Sequence, residues 1–172
     1  MDFRAFNTSS YFTQYDSPVG RLLLFSDGSR LNALYFERCD NVTNVTSDGL
    51  TEKPLALFDE TRRWLDIYFS GTAPDFTPPL APIGTEFTKT VCDILLTIPY
   101  GTTTTYGAVA QQLRARGTQA APQAVGGAIG RNPISIIIPC HRVIGHDGSM
   151  TGFGGGIERK IQLLQLEGVL LT

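Results

Sequence analysis

A chain of 172 residues, 42% of them apolar, can bury a core without staples, either as one compact domain or as two small ones. No apolar run approaches a membrane span, and Met1-Asp2-Phe3-Arg4 opens without a basic region followed by an apolar one, so the expected location is the cytoplasm, with no membrane partner. The net charge of −2 conceals an asymmetry: residues 1–80 hold seven Lys/Arg against eleven Asp/Glu and residues 81–172 seven against five, which permits a basic face in the second half.

In chain order, Leu22–Phe25 and Leu31–Phe36 flank Ser26-Asp27-Gly28-Ser29-Arg30, whose Asp-Gly pair favours a tight turn, and together they predict a β-hairpin. Residues 41–52 are polar and aperiodic and read as a loop. Asn7-Thr8-Ser9, Asn41-Val42-Thr43 and Asn44-Val45-Thr46 match the glycosylation acceptor pattern but, without a secretion signal, read as polar loop. Leu55, Phe58, Trp64, Leu65, Tyr68 and Phe69 form a helical stripe ending at Gly71, with Trp64 and Tyr68 four apart as core residues. Residues 71–84 carry Pro74, Pro78, Pro79 and Pro82, which forbid a regular helix and favour an extended connection. This segment marks the expected boundary between a domain of residues 1–80 and one of residues 81–172.

The second half begins with Thr85 as an N-cap, Glu86 in the first turn, and Phe87, Val91, Ile94 and Leu95 on one helix face that stops before Pro99. Residues 105–113 predict a short helix, residues 114–118 a glycine turn, and Pro122 the first turn of a second helix through Ala124-Val125-Gly126-Gly127-Ala128-Ile129. Two short helices around a tight turn resemble a helix-turn-helix. Glycine is costly inside helices, so the second helix calls for a close backbone approach, either to a neighbouring helix or to nucleic acid. Gly130-Arg131-Asn132-Pro133 then breaks the chain. Beyond it, His146-Asp147-Gly148-Ser149 reads as a turn, Gly152-Phe153-Gly154-Gly155-Gly156 as a loop able to wall a pocket, and residues 157–167 as a helix with Gly168 as its C′ residue.

The chemistry concentrates in Ile136-Ile137-Ile138-Pro139-Cys140-His141-Arg142-Val143. Three β-branched residues ended by a proline predict a buried strand that delivers a cysteine beside a histidine. A cysteine attacks as its thiolate, and a neighbouring His or Arg favours that form; the alternative is a small inert core residue. Cys39, Cys92 and Cys140 are odd in number and never in a Cys-x-x-Cys pair, and His141 and His146 are the only histidines, which argues against a zinc site. The thiols are expected to be reduced, and Cys92, off the apolar face of its helix, to be structural. Glu167 sits at the wrong end of a helix dipole, either as a solvated terminal residue or as an acid orienting His141.

Ile98-Pro99-Tyr100-Gly101, Thr105-Tyr106-Gly107, Ala124-Val125-Gly126, Asn132-Pro133, Pro139-Cys140-His141-Arg142-Val143, Thr151-Gly152-Phe153 and Leu164-Gln165-Leu166-Glu167-Gly168 together resemble the O6-alkylguanine-DNA alkyltransferases of bacterial type. The likeness runs nearly continuously over residues 84–172; before that it rests mainly on Ser17-Pro18-Val19-Gly20. It implies an α/β fold: an N-terminal ribonuclease H-like α/β domain and a mostly helical C-terminal domain whose helix-turn-helix enters the minor groove. It also implies a repair protein that flips an O6-alkylguanine from duplex DNA and moves the alkyl group irreversibly onto Cys140, once per molecule, with O4-alkylthymine left open as a second substrate.

By the same resemblance, His141 oriented by Glu167 takes the Cys140 proton through water, Asn132 braces the thiol, and Tyr106 hydrogen-bonds the flipped base. Arg142 is left a structural role. Val143, Phe153, Gly154 and Tyr106 are the expected pocket, and Gln123, Ala124, Gly126, Gly127, Ala128, Ile129 and Arg131 the expected DNA contacts. Double-stranded DNA carrying O6-alkylguanine is the expected partner of a monomer, with no cofactor and no metal. Gln123 departs from the family's usual arginine, which fills the space left by the flipped base; it brings hydrogen bonds but no charge. Gly154 stands where some relatives carry serine. Two competing readings are a non-enzymatic lesion sensor of alkyltransferase-like type, whose members lack the cysteine kept here, and a cysteine hydrolase, which needs an oxyanion hole that the sequence does not identify.

Overall fold

The computed structural model describes residues 9–37 and 49–170. Cys39 and the acceptor asparagines Asn7, Asn41 and Asn44 lie outside the described residues. The chain divides into two compact units, residues 1–83 and 84–172.

In the first unit the predicted hairpin is present as β2 (Gly20–Ser26) and β3 (Leu31–Phe36), paired antiparallel. Two further strands escaped the sequence reading. β1 (Tyr11–Ser17) pairs antiparallel with β2, and β4 (Thr51–Glu52) pairs parallel with β1, so the sheet order is β3-β2-β1-β4. The last two residues of the segment read as loop are therefore strand. Helix α1 (Ala56–Phe69) lies over the sheet face that carries Thr13, Tyr15, Leu22 and Leu24: Arg62 donates to Thr13 Oγ1 at 2.7 Å and Tyr15 donates to Asp66 at 2.7 Å. Leu23, Phe25 and Ala33 form the opposite apolar face with Phe12, Leu50 and Ile83. Alternation along β2 thus buries both faces of the strand, which makes it the hydrophobic centre of the unit. Trp64 and Tyr68 stack at 5.4 Å and are both buried, as core residues. The proline-rich segment is extended, and Leu31 N–H donates to Pro79 O while Ala81 N–H donates to Leu31 O, a pairing that leaves the prolines' missing donors unused.

In the second unit α2 (Glu86–Leu95), α3 (Tyr106–Ala115) and α4 (Pro122–Gly130) pack on one another. The predicted cap operates, with Thr85 Oγ1 accepting from Thr88 N–H at 3.2 Å, and Thr105, read as the first residue of its helix, proves to be a cap as well, its Oγ1 accepting from Ala108 N–H at 3.2 Å. Gly117, at φ +81°, turns the chain between α3 and α4. Helix α5 (Ile157–Leu166) follows the glycine-rich loop and ends at Gly168, φ +77°.

The predicted strand over Ile136–Ile138 is not there. Residues 134–138 instead form a compact turn in which Ile138 N–H donates to Ile134 O and Ile136 adopts φ +71°. Pro133 and Pro139 close both ends to a ladder, and with Ile134, Ile136 and Ile138 fully buried, the gain from burial holds a β-branched residue in a conformation that costs about 1–3 kcal/mol. Ladder pairing comes after the cysteine, not before it: β6 (Val143–Ile144) pairs parallel with β5 (Thr104–Thr105).

Candidate active site

Asn132 organises the turn. Its Oδ1 accepts from Ile134 N–H at 3.0 Å, and its Nδ2 donates to Ile138 O at 2.7 Å and to Cys140 Sγ at 3.0 Å. One side-chain amide thereby replaces the missing strand partner and reaches the thiol. Cys140 and His141 then start a single 3₁₀ turn over Cys140–Arg142, and both are buried.

His141 Nε2 lies 2.7 Å from Glu167 Oε1. Arg142 grips the same carboxylate through Nε at 2.9 Å and Nη2 at 3.1 Å. Glu167 is therefore no solvated terminal residue: it is 6% exposed and fully engaged at the end of α5. Burial alone would raise its pKa, but hydrogen bonds from His141 and Arg142 outweigh that and bring it down to about 2, so it is an ionised acceptor at neutral pH. Burial lowers the pKa of His141; the Glu167 hydrogen bond and charge oppose this, while Arg142 and Lys160 reinforce it. A neutral imidazole facing a carboxylate presents its Nε2 hydrogen and keeps Nδ1 as the basic nitrogen. Burial pushes the Cys140 thiol up, against the pull of the Asn132 amide and the Lys160 charge. The resting pair is thus thiol and imidazole rather than an ion pair.

Lys160 is the residue that the sequence reading passed over. Its side chain is fully buried, and Nζ donates to Val143 O at 2.6 Å and to Thr151 O at 3.1 Å. Tyr106 donates its hydroxyl to that same Thr151 carbonyl at 2.7 Å. A usable signal was present: Lys160, Leu163, Leu164 and Glu167 follow the i, i+3, i+4, i+7 spacing of one helix face, so both charges lie in phase with the apolar stripe.

The predicted pocket residues divide. Phe153 is buried with its ring 6.5 Å from that of His141, and Gly154 is exposed in the loop beside it. The Val143 side chain is fully buried in β6, and its carbonyl accepts from Lys160 Nζ. Gly152 has φ +81°, and a Cβ there would stand 2.5 Å from the Tyr106 hydroxyl, which is why the loop has no side chain at this point.

The predicted DNA-contact residues divide as well. Gln123 and Ala124 are exposed on α4 and Arg131 just past its end, and Gly126 and Gly127 are partly so. A Cβ at Gly126 would meet nothing within 4 Å, so internal packing does not demand a glycine there; at Gly127 it would come within 3.0 Å of the Arg131 guanidinium. Ala128 and Ile129 must be removed from the contact face. With Val125 they form the buried i, i+3, i+4 stripe of α4, each about 1% exposed or less.

Residues 10–82 match the family described as "6-O-methylguanine DNA methyltransferase, ribonuclease-like domain", and residues 86–169 match its "DNA binding domain". A methylated-DNA–protein-cysteine methyltransferase of Haemophilus influenzae is 45% identical over 161 residues, 93% of this chain and 87% of the relative. The protein of that name from Mycobacterium leprae is 46% identical over 152 residues, 88% of each chain. Among solved structures, Mycobacterium tuberculosis OGT in complex with DNA is 43% identical with a TM-score of 0.79, covering 91% of this chain and 92% of that one. An N-terminal ribonuclease-like α/β domain, a helical DNA-binding domain and a cysteine that is hydrogen-bonded by an asparagine amide and followed in sequence by a carboxylate-paired histidine place this chain in the methylated-DNA–protein-cysteine methyltransferase family.

Proposed function

We propose that this protein performs direct-reversal DNA repair, taking the alkyl group from O6-alkylguanine in double-stranded DNA onto Cys140. The observation that carries the reading is the thiol itself: Cys140 Sγ sits 3.0 Å from Asn132 Nδ2, next in sequence to a histidine paired with an ionised carboxylate.

An alkyl carbon on oxygen has no carbonyl to polarise, so transfer needs a strong in-line nucleophile and support for the departing base. His141 takes the Cys140 proton through water, and Glu167 stabilises the imidazolium that forms. The S–C bond forms as the O6–C bond breaks, the departing guanine gains a proton while the imidazolium gives one up to solvent, and restored guanine leaves. Tyr106 supports the charge on the departing base by turning its hydroxyl hydrogen from Thr151 toward it. The thioether product offers water no electrophilic carbonyl, so each molecule acts once. Extrusion of the base costs a few kcal/mol, less for a weakly paired lesion, and this difference contributes to selectivity. The exposed part of α4, with Gln123, Ala124, Gly126 and Gly127, approaches the DNA together with Arg131 just past its end. The protein acts as a monomer.

The test is incubation with an O6-methylguanine oligonucleotide followed by mass spectrometry of the Cys140 peptide. One methyl group per molecule is expected, and none in Cys140→Ser. Tight lesion binding without an adduct would move the reading to a lesion sensor, and repeated turnover would sink irreversible transfer.

A further inference from the structure

Four donors converge on the Glu167 carboxylate. His141 Nε2 and Arg142 Nη2 reach Oε1 at 2.7 and 3.1 Å; Arg142 Nε and Gly101 N–H reach Oε2 at 2.9 and 3.0 Å. An ionised carboxylate offers about four lone-pair directions, and each has a donor here. Only the first of these donors belongs to the proton relay. The others come from Arg142 and from the turn at residues 98–101, which is tied further to Arg142 and to the end of α5. Ile98 O accepts from Arg142 Nη1 at 2.6 Å, and the Tyr100 hydroxyl donates to Leu166 O at 3.3 Å. Gly101 has φ +73°, and a Cβ there would stand 3.0 Å from the Glu167 carbonyl oxygen.

We infer that Arg142 and Gly101 are positioning residues of the alkyl transfer: they hold Glu167 ionised and in register, so that His141 keeps its hydrogen on Nε2 and stays a neutral base. The inference rests on the function proposed above. One cation has two effects here. It makes the buried carboxylate tolerable, and it disfavours a second positive charge on the imidazole beside it. Without it, Glu167 would either take up a proton or draw His141 into a permanent imidazolium, and neither state accepts the Cys140 proton. The other titratable groups around the pair are Lys160 on α5, Tyr100 in the turn and Cys140 itself. Lys160 carries the same sign as Arg142 but donates to backbone carbonyls, so it does not substitute for the fork.

The experiment follows two pH profiles, Cys140 alkylation by iodoacetamide and methyl transfer from an O6-methylguanine oligonucleotide, in the unmodified protein, Arg142→Met, Arg142→Lys and Gly101→Ala. Arg142→Met is expected to move the acid limb of both profiles to higher pH and to lower transfer at neutral pH by about 10–100-fold, the usual effect of losing an orienting partner. Arg142→Lys keeps the charge without the fork, and is expected to leave the acid limb in place while slowing transfer. Gly101→Ala keeps every charge and is expected to slow transfer with DNA affinity unchanged. An unshifted acid limb in Arg142→Met, or unmodified rates in both Arg142→Lys and Gly101→Ala, overturns the inference. If the unmodified protein transfers no methyl group, the proposed function fails instead, and the iodoacetamide profiles still decide the role of Arg142 because they need no DNA.

Discussion

At the scale of residues, the site is a set of buried ionisable groups that depend on one another, and its stability should follow pH accordingly. His141 has a folded pKa below its ordinary 6.5, and Glu167 one of about 2 against an ordinary 4.5. Both are depressed, so their stabilising contribution is present above the ordinary values and is lost as pH falls through the folded ones. Urea midpoints are therefore expected to decline below about pH 6.5 and to fall further between 4.5 and about 2. Glu167→Gln should lose the lower part of that dependence. The same substitution should slow methyl transfer about 10–100-fold in a single-turnover assay, since a neutral amide supports an imidazolium poorly and can impose the wrong tautomer. At Gly154, exposed beside Phe153, comparable transfer rates from methylguanine and benzylguanine are expected; exclusion of benzyl would show that the missing side chain does not widen the pocket.

Among the elements, α4 separates fold from binding. Its buried stripe of Val125, Ala128 and Ile129 holds it to the unit, while Gly126 faces open space. Gly126→Ala should therefore stabilise the fold by up to about 1 kcal/mol in a thermal melt, and weaken DNA binding if the backbone approaches DNA there. Gln123 lies exposed in the first turn of the same helix and carries no charge. Gln123→Arg is expected to tighten binding and speed repair; unchanged affinity and rate would show that the departure from arginine has no consequence. The turn at residues 132–140 teaches a different lesson. Its apolar run looked like a strand because burial and β-branching are shared by strands and by tightly packed turns. What decided between them was Asn132, whose amide satisfies the backbone that a neighbouring strand would otherwise have served.

For the whole molecule, we place the chemistry in the second of the two units, residues 84–172, whose seven Lys/Arg outnumber its five Asp/Glu. Arg142 is bound to Glu167 and Lys160 is buried, so the cations left at the surface are Lys89, Arg114, Arg116, Arg131 and Arg159. Affinity for DNA should accordingly fall with salt, with a slope of about 0.9 in log–log form for each phosphate contacted, measured by fluorescence anisotropy. A salt-independent affinity would count against phosphate contacts as its main source.

Local chemistry was readable from the residues alone wherever a single residue imposes it. Thr85 as a cap, Pro122 and Gly168 at helix ends, the Asp27-Gly28 turn and the order of Pro139, Cys140 and His141 all act through their immediate neighbours. Strand β1 escaped notice because its alternation is blurred by half-buried polar residues, and β4 because two residues carry no period. Tertiary structure alone decided what each charge faces. Lys160 is an ordinary base in sequence and Glu167 an acid with two open readings, and only packing of α5 against the 3₁₀ turn and residues 98–101 gives them Arg142, His141 and two backbone carbonyls as partners. A pKa is set by burial and by neighbours that are distant in the chain, which is why the sequence could name Cys140, His141 and Glu167 but not the charge states that their packing imposes.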